Sequence, residues 1–170
     1  MQQEPVVLTL TSNSPETTEA LGAALGGLLQ AGDCVTLSGE LGGGKTCFTR
    51  GVVRGAAPTA VDQVASPTFA ILNEYPGPLP IYHYDCYRLR GGDDAIEMGL
   101  EEHLYAGGIC LIEWPERVQA ILPADRLEVG FSYTGESSRR ISLVPHGSRA
   151  GKLVEKLASL QESLKKFLSV

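Results

Sequence analysis

Short blocks of apolar residues separated by glycine, proline and small polar residues run the length of this chain, and their spacing switches between strand and helix periods. Val6-Val7-Leu8-Thr9-Leu10 predicts a strand. Thr11 to Pro15 then predicts a helix start, with Ser14 as the cap and Pro15 in the first position. Leu21, Leu25, Leu28 and Leu29 recur at helical spacing before a stop at Gly32, so a leucine face is expected to pack on a core. Cys34-Val35-Thr36-Leu37 predicts a buried strand, Gly39 to Gly44 a glycine-rich loop, and Lys45 to about Arg54 a helix closing near Gly55.

After an irregular stretch, Phe69 to Tyr75 and Ile81 to Tyr84 flank the turn Gly77-Pro78-Leu79-Pro80, which predicts an antiparallel hairpin. Asp93 to Leu104 reads as one helix or as a helix broken around Gly99, ended by Gly107-Gly108. Ile109-Cys110-Leu111-Ile112 is a second continuous apolar run, the pattern of a central parallel strand covered on both faces. Arg126 to Phe131 and Arg139 to Val144 predict a second hairpin about Thr134 to Ser138. From Ser148 onward Leu153, Leu157, Leu160, Leu164 and Phe167 form an amphipathic stripe expected to dock on the chain's own sheet, with a partner-binding face as the alternative. The expectation is a single α/β domain over residues 1–147 with a mixed, mostly parallel sheet, two antiparallel hairpins and flanking helices, followed by a C-terminal helix over 148–170.

Composition narrows the function classes. A chain of 170 residues, 43% hydrophobic, is large enough to bury a core without staples, which excludes whole-chain disorder. The net charge of −6 argues against strong direct nucleic-acid binding by this chain alone. No apolar stretch is long enough to span a membrane, and the polar start Met1-Gln2-Gln3-Glu4-Pro5 lacks signal-peptide order, so a cytoplasmic location is expected. Cys34, Cys47, Cys86 and Cys110 stand singly and read as reduced packing residues, Cys47 included.

Chemistry enters at Gly39-Glu40-Leu41-Gly42-Gly43-Gly44-Lys45-Thr46, which matches Gly-x-x-x-x-Gly-Lys-[Ser/Thr] between a strand and a helix. Glycines let backbone N–H groups converge on an anion, and the helix N-terminus adds its positive dipole end. The Lys45 ammonium then reaches the β and γ phosphates, and the Thr46 hydroxyl offers an oxygen to Mg²⁺. A second magnesium ligand is usually an acidic residue ending a neighbouring apolar strand, and Glu113 ends such a run, although it also fits a solvated strand end. Trp114 beside it fits a core cap or a place next to the site. Asp85 fits a holder of a magnesium-bound water, an orienter of attacking water or a turn aspartate, and Ser66-Pro67-Thr68-Phe69 either a plain junction or a switch facing the γ-phosphate.

The order of these pieces resembles a known family. The loop at 39–46, Arg50-Gly51, Ser66-Pro67-Thr68-Phe69, Asn73-Glu74-Tyr75, His83-Tyr84-Asp85-Cys86-Tyr87-Arg88-Leu89, Gly99-Leu100-Glu101-Glu102 and Leu111-Ile112-Glu113-Trp114-Pro115-Glu116 together resemble the TsaE (formerly YjeE) family over about residues 6–145. These are bacterial P-loop ATPases required for making threonylcarbamoyladenosine in tRNA. The resemblance implies Mg²⁺ held by Thr46 and Glu113, Asp85 needed for hydrolysis, Ser66 and Thr68 in a switch, and adenine held between the Thr11–Ser14 loop, Ser12 included, and Arg139. It also implies that ATP and ADP are the ligands and that TsaD and TsaB are the partners, with any tRNA contact indirect. Gly43 stands where the family more often has alanine and Cys47 where it often has threonine, and the tail beyond Gly147 is covered by no motif.

Slow intrinsic hydrolysis is expected, because no arginine finger is evident and a partner can supply the completing group. Three rivals remain at this level. A small-molecule kinase would need lid arginines, for which Arg88 and Arg90 are the candidates; a GTP switch would need Asn-Lys-x-Asp, which the sequence lacks; and a pure binding module would carry vestigial hydrolysis.

Overall fold

Two apolar runs, each covered on both faces, set the centre of the molecule. The computed structural model describes residues 7–40, 44–64 and 71–168, with side chains through 162. Within these, β2 (Cys34–Gly39) and β5 (Ile109–Glu113) lie side by side and parallel. Val35 and Leu37 of β2 face one core together with Ile109 and Leu111, while Cys34, Cys110 and Ile112 face the other. That division is the period-two alternation of a strand buried on both sides.

The seven strands are completed by β1 (Leu8–Ser12), β3 (Leu72–Tyr75), β4 (Ile81–Asp85), β6 (Arg126–Tyr133) and β7 (Arg139–His146). Their order is β1-β7-β6-β2-β5-β4-β3, with β6, β2, β5 and β4 mutually parallel and the two hairpins antiparallel. The fold is thus a single α/β domain with a mixed sheet and a parallel centre. One face is covered by α1 (Pro15–Gly26), α2 (Lys45–Ala56) and α5 (Ser148–Leu168), and the other by the short α3 (Gly92–Glu97) and α4 (Leu100–Leu104). Gly99, at φ 87°, breaks α3 from α4.

The described strands are shifted from the expected ones at β1, which extends to Ser12. Helix α1 ends at Gly26, short of the leucine repeat, because the Gly26-Gly27 pair lets the chain tighten. The amides of Leu28 and Leu29 there bond the carbonyls of Leu25 and Gly26 instead of continuing the ladder. The face of α1 turned to α2 is also not the leucine face. Gly22 and Gly26 of α1 interlock with Gly51 and Gly55 of α2, and a Cβ on any of the four would run into backbone of the opposite helix. The helices therefore lie parallel and in contact, with their N-termini at the same edge of the sheet, where Gly44 comes close to Thr18.

The tail docks as its stripe suggests as far as Leu157: Ala150, Leu153, Val154 and Leu157 are buried in the larger core, whereas Leu160 is exposed. Two polar devices fix it. The Asp125 carboxylate accepts from the amides of Arg149 and Ala150 (2.9 and 3.0 Å), capping α5, and the Arg149 guanidinium forks onto Asp33 (3.0 and 2.9 Å) and donates to the Leu28 carbonyl. Among the described residues no helix is long and apolar enough to cross a membrane.

Candidate functional site

The loop that joins β2 to α2 opens with Gly39 at φ 145° and closes with Gly44 at φ 103°. A Cβ at Gly39 would lie 2.6 Å from the Phe131 carbonyl oxygen, so both conformation and space require glycine there. Glu40 is exposed, and Leu41, Gly42 and Gly43 lie outside the described residues. Gly44 caps α2 without a side-chain hydrogen bond, which leaves first-turn N–H groups facing the loop as donors for an anion. Lys45 is only 6% exposed; its ammonium donates to the Gly39 carbonyl at 3.0 Å and sits 4.6 Å above the Trp114 ring. Thr46, half-buried, follows in the same turn.

Strand register brings the acidic residues to this edge. Glu113, the last residue of β5, is level with Leu37 of β2 on one side and Asp85 of β4 on the other. Its Oε2 accepts from His83 Nε2 at 3.0 Å, with both side chains nearly buried. Burial pushes the Glu113 carboxyl up, but the hydrogen bond from His83, the electrostatic attraction of its ring N–H and the Lys45 ammonium outweigh it and hold the group below the usual carboxylate range. The stability this contributes is complete above the ordinary glutamate value of about 4.3 and disappears as pH falls from there through the lowered folded value. Asp85 Oδ1 accepts from the Tyr87 amide at 3.1 Å, and the Cys86 amide donates to the Glu113 carbonyl, which ties the end of β4 to β5.

Trp114 adopts φ 58°, the one positive φ of a non-glycine among the described residues. Such backbone strain is held in place by surrounding contacts. Here Tyr87 packs on the indole (centroids 4.9 Å), and Pro115 opens the next 3-10 turn. The indole held in this way lies against the Lys45 ammonium.

Beside the α1 and α2 N-termini lies a cleft of about 300 Å³, lined in part by Ser14, Thr18, Gly44, Cys47, Ser137 and Arg139. Arg139 stacks on Tyr133 (4.1 Å) and donates to the carbonyls of Gly135, Glu136 and Ser138. Ser12 stands behind the cleft wall: it is fully buried, and its hydroxyl pairs with Thr18 (2.7 Å) and donates to the Ser14 carbonyl. Cys47, read from sequence as packing, lines the cleft one helical turn below Gly44. Ser66 and Thr68 lie outside the described residues.

Thr46 and Glu113 are hard oxygen donors that suit Mg²⁺ rather than a soft metal. Among the described residues no group of three or more His, Cys, Asp or Glu side chains forms a self-contained metal cage. Two protein oxygens completed by phosphate and water is the donor set Mg²⁺ ordinarily takes at nucleotide sites. Sequence reasoning passed over His83. Its signal was present as a period-two partner of Asp85, but its meaning depends on the β4–β5 register. The other cysteines are inert by burial, which pushes the Cys86 and Cys110 thiols up to about 12.

The family model described as "Threonylcarbamoyl adenosine biosynthesis protein TsaE" matches residues 12–141. The chain is 38% identical to the tRNA threonylcarbamoyladenosine biosynthesis protein TsaE of Bacillus subtilis over 146 residues, 85% of this chain and 90% of that protein. It is 37% identical to the TsaE protein of Treponema pallidum over 132 residues, 78% and 96% of the two chains. The crystal structure of YdiB from Bacillus subtilis superposes with a TM-score of 0.79 at 32% identity, covering 94% of this chain and 99% of that one. A match of the family model to most of the chain, together with relatives aligned over most of it and a solved fold over nearly all of it, shows that this chain belongs to the TsaE family of tRNA threonylcarbamoyladenosine biosynthesis proteins.

Proposed function

We propose that this chain is the ATP-binding, slowly hydrolysing component of the tRNA threonylcarbamoyladenosine machinery, a nucleotide-gated partner of TsaD and TsaB rather than the transferase. The observation that carries the reading is a buried lysine on the uncapped first turn of α2, whose charge is felt by an ionised carboxylate at the end of β5. A charge is kept nearly dry here without a carboxylate within ion-pair distance among the described residues. Such an arrangement is costly in an empty fold and becomes favourable when a polyphosphate arrives.

In this reading Gly39 to Gly44 wrap the phosphates, Lys45 leaves the Gly39 carbonyl for β and γ oxygens, and Thr46 with Glu113 holds Mg²⁺. A bound Mg²⁺ would supply positive charge to neutralise the β and γ phosphates. Asp85, one strand over from Glu113, orients the attacking water. The cleft beside Ser14 and Arg139 takes the adenosine portion; its volume is at the small end of ordinary ligand pockets, as suits a base and ribose with the phosphates outside it. Ser66 and Thr68 sense the γ-phosphate and change partner affinity between nucleotide states.

Three measurements check this. Trp114 is the chain's one tryptophan and lies over Lys45, so ATP is expected to change its emission as the ammonium moves to phosphate. The change should vanish in Lys45→Met, and an unaltered wild-type spectrum at saturating nucleotide would oppose the assignment. Reconstituted threonylcarbamoyl transfer with TsaD and TsaB tests the gating. With Asp85→Ala, nucleotide affinity is expected to stay within about threefold of wild type while product stops after about one cycle per complex. Sustained turnover by that variant would favour a binding module in which hydrolysis is dispensable. The isolated chain should hydrolyse ATP well below the ~10 s⁻¹ of a typical dedicated enzyme.

A further inference from the structure

We propose that His83, backed by Tyr75, is a positioning residue that holds the Glu113 carboxylate in place for the metal. The inference rests on the nucleotide and Mg²⁺ reading above and assigns a role that reading leaves empty. Three adjacent strands carry the three side chains. Asn73 of β3 is level with His83, and Tyr75 lies two residues on; Leu111 of β5 is level with His83, and Glu113 lies two residues on. Tyr75, His83 and Glu113 thus run diagonally across β3, β4 and β5, within reach of one another for long side chains.

The hydrogen bonds of the row have one consistent direction. An ionised carboxylate only accepts, so the proton between His83 and Glu113 is assigned to His83 Nε2, which lies 3.0 Å from Oε2. His83 Nδ1 then accepts, and the hydroxyl of Tyr75 stands 3.5 Å from it. Tyr75 is 2% exposed and His83 6%, so neither ring has room to turn away. A glutamate side chain has three torsions and would otherwise sample several positions at a strand end. With Oε2 engaged by His83, the carboxylate is held in one orientation and Oε1 is the oxygen for the metal or its water. Groups that bond a metal ligand from behind commonly matter to metal affinity about 10- to 100-fold.

The alternative is a buried pair that only stabilises the sheet, and the experiment separates the two. Calorimetric titration of the full chain with ADP, with Mg²⁺ and with EDTA, gives affinity with and without metal. Mn²⁺ titration of the ADP complex, read by electron paramagnetic resonance, gives metal affinity directly, and thermal unfolding gives stability. In wild type, ADP should bind more tightly with Mg²⁺. His83→Leu should weaken Mn²⁺ binding by about 10- to 100-fold and leave metal-free ADP affinity unchanged. His83→Gln, which restores an amide donor where Nε2 stood, should recover most of the loss, and Tyr75→Phe should lose a smaller factor. Should His83→Leu not fold, the Gln and Tyr75→Phe variants carry the comparison. Wild-type Mn²⁺ affinity in His83→Leu, or in Tyr75→Phe where the leucine variant does not fold, or equal losses with and without metal, would make the pair structural only and overturn the proposal. If wild type bound ADP without any metal dependence, the magnesium reading itself would fall, an outcome distinct from failure of His83 alone.

Discussion

Gly51→Ala is expected to destabilise this protein by about 3 kcal/mol and to lower Tm by roughly 10 °C, although it adds a single methyl to a helix. A Cβ at Gly51 would overlap the Glu19 carbonyl oxygen and lie 2.9 Å from the Ala23 amide nitrogen. Both atoms are backbone, so no rotamer change relieves the clash and α1 must move away from α2. The usual advantage of alanine over glycine in a helix, about 0.5–1 kcal/mol, is outweighed. Gly151 in α5 is the internal contrast, because a Cβ there meets nothing within 4 Å. Gly151→Ala is therefore expected to raise stability by about 0.5 kcal/mol or more. Thermal unfolding of both variants checks the argument; a harmless Gly51→Ala would show that α1 and α2 do not need their glycine contact. The same change should reach the site, since that contact holds Thr18 beside Gly44 at the head of α2.

Lys45→Met should act in the opposite sense on stability and far more strongly on ligand binding. The ammonium is nearly dry and is satisfied by the Gly39 carbonyl and the Trp114 face. Removing it takes away a desolvated charge and leaves a side chain of similar length against the indole, so the empty protein should unfold at the same temperature or higher. Nucleotide affinity should fall at least ~100-fold, which is about 3 kcal/mol and the scale of one or two charge-assisted hydrogen bonds to phosphate. Calorimetric titration with ATP and a melting curve on the same preparation decide the matter. Affinity within threefold of wild type would remove the lysine from phosphate binding, and a large drop in Tm would give it a structural role instead. The two outcomes expected together, more stable and unable to bind, are the mark of a group kept for its ligand rather than for the fold.

Local pattern carried much of this molecule. The buried runs of β2 and β5, the two hairpins, the Ser14–Pro15 start of α1 and the amphipathic tail all follow from spacing of two or 3.6 residues and from turn chemistry, which operate within a few neighbours. The glycine loop and its lysine were legible for the same reason, because the motif is contiguous and its geometry is set by its own φ angles. Tertiary structure alone decided which distant residues share a place. His83 meets Glu113 across 30 residues because β4 and β5 pair in one register, and a slip of one residue would send their side chains to opposite faces. Arg149 grips Asp33 across 116 residues, and Cys47 meets Arg139 at a cleft, through packing that no local repeat encodes. The α1–α2 contact combines the two levels. Gly22, Gly26, Gly51 and Gly55 are visible at helical spacing, yet glycine carries no hydrophobic signal, so only the approach of the two backbones shows that these four positions, and not the leucines, face the neighbouring helix.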